Sequence, residues 1–527
     1  MDPAGIITVI GLAVAIYAIV PREQRLDLSL RISKLDRIII LICFFVIHYI
    51  IFYPTLDQFG LAYNLGSWKY GFNQENTIYL IFLFLGIFLF HRAKNAKVSR
   101  SNIQQMSELM EEQLSEGKYA DLAILVENHV ENIAKIQKTP TFRNRLSDKI
   151  SPITHTSFVL HQDYEPSWLE RHFAPFLSWL GEIFYKHDPQ AEVSDNVLRR
   201  ILTNKNFVQY LSKSRPYLAL TIIDLGTRYT ESFLGIYFSS IIDDRDSIFY
   251  YELKNNSWLA ANQRFHIPKN NRLLFYFFRD VRVAERLKVY KYAGNAVYTI
   301  LDSDSVWNER CNSAIGAYVD NESLLCPLDT TVRFFEIMLI EAMHQGIRWH
   351  MWLFYLSGFS TKILNNLAPL TDVDLEREFP TPYHYHLYKI VTVLIDLLQE
   401  YEHVSNKEPI STDDESLNHA NSSIPKSAAI ALGSIVYEIV SSTKVTDEFK
   451  IYTIEILGRH FQQTRHCPEL AVPNTVLMKA ALKDGFHNRI DQAYVKDFAR
   501  LFSQIDHVIR WDTKDLNTYI DSLRGQY

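Results

Sequence analysis

The residues best suited to chemistry lie between Arg264 and Lys291, where eight Lys and Arg face only Asp280 and Glu285, a local net charge of +6. Arg279, Arg282 and Arg286 recur at i, i+3 and i+7, a spacing that puts three guanidiniums on one face of a helix. Phe275, Tyr276, Phe277 and Phe278 precede them, and Tyr290 and Tyr292 follow. Guanidinium forks match phosphate oxygens and aromatic rings stack on bases. A site for a nucleotide, an RNA or an anionic headgroup is therefore expected at Arg279, Arg282 and Arg286. The plainer account is a salt-bridge face turned towards acidic parts of the same chain.

A second constellation is Asp243, Asp244 and Asp246 followed by Glu252-Leu253-Lys254. Asp244, Glu252 and Lys254 resemble the metal-dependent nucleases of the PD-(D/E)xK kind. In those, an Asp and an E-x-K on adjoining strands hold Mg²⁺ and polarise a phosphate. Ser247–Lys254 reads equally well as a helix following an Asp cap, which would leave the likeness without its strands. Histidines form a third group. Glu341 and His344 make a single E-x-x-H, with His350 beyond it; His384 and His386 follow Pro382 in an expected loop; His460, His466 and Cys467 lie near a helix end. A di-iron helix pair needs two E-x-x-H motifs, so capping or core histidines are the simpler expectation. The four cysteines, Cys43, Cys311, Cys326 and Cys467, show no C-x-x-C spacing, so neither a disulfide frame nor a zinc site is indicated. No P-loop, GxGxxG, HExxH or GxSxG occurs, and no cofactor or catalytic residue is expected beyond the weak alternative of Asp244, Glu252 and Lys254.

The elements that must carry these residues fall into a mostly α chain. Three apolar stretches, at 4–20, 38–53 and 77–91, crowd the first hundred residues. Each is slightly shorter than the roughly 20 residues a helix needs to cross hydrocarbon, and flanking Tyr, Lys and Arg can make up the difference. Lys and Arg concentrate between the first two stretches and after the third, whereas the loop from Pro54 to Asn76 carries only Lys69. The positive-inside rule then places three spans in the inner (plasma) membrane, with the N-terminus outside and the body cytoplasmic. On the first span, Ala4, Thr8, Gly11, Ala15 and Ala18 line one face, where a neighbouring span or a second copy of the chain could approach closely. His48 is an ionisable group within the second span.

The first hundred residues carry ten Lys and Arg against six Asp and Glu, so a chain of net −6 leaves −10 for residues 101–527. Such a body is poorly suited to bulk nonspecific binding of nucleic acid. A juxtamembrane helical hairpin is expected over 101–150, turning at Gly117 with Tyr119, Leu122, Leu125 and Val126 on one side. A main helical domain is expected over 151–401, with one long helix across Arg333–Phe359 and a minor β-like run at Ala296–Leu301. Further helices are expected at His386–Tyr401, Ser427–Ser441, Asp447–Gln462 and Arg489–Ile505. A flexible linker over 402–426, rich in Ser, Asn, Asp and Pro, would separate a C-terminal helical domain over 427–527.

Short spans, a small-residue seam and a large helical body together resemble the membrane-anchored effectors of bacterial antiphage abortive-infection systems, of the retron-associated type. The resemblance lies in layout and implies a toxin-like protein that is activated on infection, permeabilises the membrane and arrests growth. A membrane-anchored, non-enzymatic effector or signalling protein is therefore the expected class. Its partners would be the lipid bilayer, a protein or anionic ligand at the body, and further copies of itself. A membrane-tethered nuclease or phosphoesterase and a membrane scaffold are the alternatives.

Overall fold

In the computed structural model, the described residues are 34–61, 74–95, 98–150, 187–255, 267–318, 325–348, 351–369, 378–405, 423–483 and 489–524. Among them every regular element is helical. The chain divides into two compact units, residues 1–211 with 221–230 and residues 212–220 with 231–527.

In the first unit, two of the apolar stretches form helices α1 (Lys34–Gln58) and α2 (Gln74–Asn95). They meet along a narrow seam: Ile47, Ile50 and Ile78 are buried, with Ile51, Ile81 and Phe82 packed around them. Most other large apolar side chains of the pair are exposed, among them Leu41, Phe44, Phe45 and Phe52 on α1 and Leu83, Phe84 and Ile87 on α2. Helix α1 runs on through Pro54, past the expected end of its span at Tyr53. Two described helices are long and apolar enough to cross a membrane, and they differ in surroundings. The window in Leu35–Gln58 is 11% buried, whereas that in Ile424–Ser441 is 83% buried and therefore reads as a core helix. The apolar part of α2, Asn76–Leu89, falls short of that length. This departs from the expectation of three full spans. The stretch 4–20, with Ala4, Thr8, Gly11, Ala15 and Ala18, lies outside the described residues.

The expected hairpin follows as α3 (Ile103–Ser115) and α4 (Tyr119–Lys138). Gly117 turns the chain between them at φ +70°, a conformation that favours glycine. Leu122, Leu125, Val126 and Ile133 are buried, and α5 (Pro189–Leu202) packs on both helices. The start of α5 is fixed twice, by Pro189 in its first turn and by the Asp188 carboxylate accepting from the Ala191 amide at 3.2 Å. Arg100 bonds both that carboxylate and the Thr139 carbonyl, so one guanidinium joins the start of α5 to the end of α4.

The second unit is built on α6 (Ile248–Asn255), α7 (Arg272–Phe278), α8 (Val281–Arg286), α9 (Val289–Ser303), α10 (Pro327–His344), α11 (Met351–Asn366), α12 (Pro382–Glu400), α13 (Ile424–Ser441), α14 (Asp447–Thr464), α15 (Ala471–Leu482) and α16 (Gln492–Phe502). The β-like run Ala296–Leu301 lies inside α9, where Val297 and Leu301 join a helical core stripe. The single helix expected across Arg333–Phe359 is two, α10 and α11, separated by a turn at Gly346 with φ +69°. Helix α13 packs on α11, α12 and, most extensively, α15. Gly433 permits that last approach, since a Cβ there would sit 2.7 Å from the Ala481 amide nitrogen. Because α12 and α13 pack together, the helices on either side of 402–426 belong to one unit, not to the two domains expected; residues 406–422 lie outside the described set. The four helices expected near the C-terminus are α12, α13, α14 and α16, and on the last Tyr494, Phe498 and Leu501 are buried.

Candidate functional site

The basic segment does not form one helix face. Helix α7 ends at Phe278, Arg279 caps it, and α8 starts anew at Val281 behind Asp280, whose carboxylate accepts from the Arg282 amide at 3.1 Å. The i, i+3, i+7 alignment of Arg279 with Arg282 and Arg286 is thereby broken, because a capping Asp with extended backbone interrupts the helical phase. Gln345 holds this break: its Oε1 accepts from the Val281 amide at 3.1 Å and its Nε2 donates to the Phe278 carbonyl at 3.0 Å. Arg282 and Arg286 still share a face of α8 at i and i+4, opposite the buried Val281 and Ala284.

The cations around this break face solvent. Arg279, Arg282, Arg286, Lys288 and Lys291 are all exposed. Arg279 stacks over Phe275 at 5.4 Å and Lys291 over Tyr292 at 5.7 Å. Arg272 lies 4.2 Å from the centre of the Tyr217 ring. The carboxylate within α8 does not answer these cations. Glu285 turns inward and accepts from the Trp352 indole N–H at 2.6 Å, while its other oxygen is buried without a hydrogen bond. Burial pushes its pKa up to about 7, against the smaller pull of the Trp352 bond.

Asp244, Glu252 and Lys254 are not brought together. Glu252 and Lys254 sit two residues apart on α6, which points them to nearly opposite sides; on a strand the same spacing would align them. Lys254 is exposed and Glu252 fully buried. The Glu252 carboxylate accepts from the Leu273 and Leu274 amides at 3.1 and 2.9 Å and from the Tyr217 hydroxyl at 3.2 Å. It thus satisfies amides in the first turn of α7, where a carboxylate also meets the helix dipole favourably. Burial raises its pKa in spite of those amides. Asp244 accepts from the Asp246 amide at 3.2 Å and pairs with Lys213 at 3.2 Å.

His384 and His386 lie in the first turns of α12, not in a loop, because Pro382 starts that helix. Burial lowers their pKa values to about 4 and about 3, so both imidazoles are neutral. His386 Nε2 meets the Tyr318 hydroxyl at 2.9 Å and the Cys326 thiol at 3.5 Å. Burial also lifts that thiol to about 11, which keeps it protonated and a poor nucleophile. His344 pairs with Glu400 at 2.8 Å, and Glu341 accepts from Gln345 at 3.2 Å, so the E-x-x-H is divided between two partners. His460 bonds Asn474 at 3.1 Å, while His466 accepts from Arg465 at 2.9 Å. His350 lies outside the described residues, among which no group of three metal-ligating side chains converges. His48 sits on the exposed side of α1, its ring 4.5 Å from Phe44 and 5.9 Å from Phe52, and away from the seam with α2.

Sequence reasoning overlooked Gln345 and Trp352, which position the break and Glu285. The signal available was Asp280 lying between two helix-forming runs, a cap that splits the segment.

Glu252→Ala is expected to destabilise the chain by about 3 kcal/mol or more, by orphaning two buried amides. Lys254→Ala is expected to change stability by less than about 0.5 kcal/mol. Denaturant titration of the two variants checks this; equal stability would contradict a structural role for Glu252. For Glu285, the folded state holds a proton up to about pH 7, whereas the ordinary value is 4.5. Well below pH 4.5 the carboxyl is protonated in both states; between about pH 4.5 and 7 the unfolded chain ionises while the folded one keeps its proton, so stability falls across that window and levels off above it. Glu285→Gln should therefore gain stability relative to the parent between pH 5 and 8, by at most about 3 kcal/mol. A pH-independent difference in denaturation midpoint would refute this.

Comparison of the chain with protein-family models, curated proteins and solved structures finds no match.

Proposed function

We propose that the chain is a membrane-anchored, non-enzymatic effector. Helix α1, with α2 packed against it, anchors the chain in the inner membrane, and the helical body receives the signal that makes this anchor perturb the bilayer. In this reading the N-terminus is outside, the body is cytoplasmic, and the outcome is arrest of growth in the manner of antiphage abortive infection. The observation that carries it is the apolar exterior of the α1–α2 pair, whose buried apolar side chains among the described residues are those of the seam, Ile47, Ile50 and Ile78. Contiguous apolar surface of that kind marks a contact with lipid or with another protein. Alternating loop charge supports the orientation. The non-enzymatic part is supported by the polar groups of the body: Glu252, His386 and His344 are each engaged in bonds that hold helices together.

Expression of the full chain in bacterial cells loaded with a membrane-potential dye tests the reading. Depolarisation should accompany growth arrest, persist in Asp244→Asn and Lys254→Ala, and vanish when residues 1–100 are deleted. Growth arrest with an intact potential, or loss of toxicity in Asp244→Asn, would refute it.

A further inference from the structure

The cations left unanswered at the α7–α8 break have a physical use that an anchor alone does not require. We propose that Arg279, Arg282, Arg286 and Lys288 form a docking face for the phosphate-bearing surface of an anionic lipid bilayer. The inference rests on the anchored reading above and names what the body itself engages.

Four observations support it. The first is density. Arg282 and Arg286 lie one turn apart on α8, and Arg279 and Lys288 flank that six-residue helix within two residues of its ends. The second is the absence of internal neutralisation. The four are exposed and make no ion pair among the described residues, while Asp280 is occupied as a cap and Glu285 is turned towards Trp352. An internal salt-bridge face would show the opposite.

The third observation concerns the aromatic residues. Binding of single-stranded nucleic acid relies on open rings on which bases stack. Here few rings are open: Arg279 lies over Phe275, Tyr276 is half-buried and edge-on to Phe277 at 5.0 Å, and Phe277, Phe278, Tyr290 and Tyr292 are buried. What remains is recognition of phosphate alone, which a headgroup surface satisfies. Fourth, Lys288 has φ +52° and is the one non-glycine residue with positive φ among the described residues. That turn fixes Lys288 between the end of α8 and the start of α9, two residues after Arg286.

Charge then sets orientation. Residues 101–527 carry net −10, so an anionic leaflet repels the body as a whole. The anchor holds the body near the leaflet, and a concentrated cationic face supplies the local attraction that offsets this repulsion. Each cation near an anionic surface contributes about 1 kcal/mol, or about fivefold in binding.

The test uses the full chain reconstituted into phosphatidylcholine vesicles with or without phosphatidylglycerol, and reads the rate of lysine acetylation by mass spectrometry. At low salt, Lys288 and Lys291 should react at least about fivefold more slowly in the anionic vesicles, and recover at high salt. Lys496, exposed on α16, should react equally in both. The double variant Arg282→Gln/Arg286→Gln should lose most of the protection. The salt series on the unaltered chain decides the matter should that variant fold poorly. Equal reactivity of Lys288 in the two lipids overturns the proposal. So does protection in neutral vesicles that appears only when an RNA oligonucleotide or inorganic phosphate is added. Failure of the chain to float with either vesicle would instead overturn the anchored reading, so the two failures are distinguishable.

Discussion

Water is a poor solvent for the outside of the α1–α2 pair, and the account of this chain depends on that constraint. A buried Phe, Leu or Ile side chain is worth about 1.5–3 kcal/mol relative to an exposed one. Leu41, Phe44, Phe45, Phe52, Leu83, Phe84 and Ile87 are among those facing outward, so their summed exposure reaches on the order of the whole net stability of a domain. Helix α13 is also long and apolar enough to cross a membrane, though its mean hydropathy is 1.2 against 2.3 for α1, and it is wrapped by α11, α12 and α15, with Gly433 letting α15 approach closely. Both are long and apolar enough to span, and their neighbours show which one is a core helix.

The body follows a complementary logic. Its buried polar groups are used to fasten helices. Glu252 satisfies the amides that open α7, Gln345 bridges the break between α7 and α8, and Glu285 holds Trp352 of α11. The cations of the same segment are thereby left in solvent, because the carboxylates that could have met them are engaged elsewhere. A structural decision at one polar residue, Asp280, converts a run of arginines along one helix into a short cationic face across a turn.

Much of the helical layout was legible from residue patterns, and the failures have physical causes. The turn at Gly117, the helix within Arg489–Ile505 and the helices flanking 402–426 follow from periodicity and from glycine in a left-handed turn. Gly346 offered the same signal within Arg333–Phe359, but the apolar run on either side masked it. Pro382 was read as a loop marker although proline in a first turn starts helices equally well. Ala296–Leu301 contains Val297, Thr299 and Ile300, whose preference for strands yields to packing on α10 and α11. The E-x-K at Glu252 and Lys254 depended on a two-residue period, and the helical period points those side chains apart. The basic segment was recognised for its charge and misread in shape: Asp280 was the local sign of the break, whereas Gln345, which holds it, lies far along the chain.

The most direct measurement is the behaviour of the full chain in isolated bacterial membranes washed with alkaline carbonate and then floated on a density gradient. A chain whose α1–α2 exterior is solvated by lipid remains with the membranes after the wash and rises with them. Release of intact, folded chain into the aqueous fraction would mean that some protein surface covers those side chains instead, and would contradict the account.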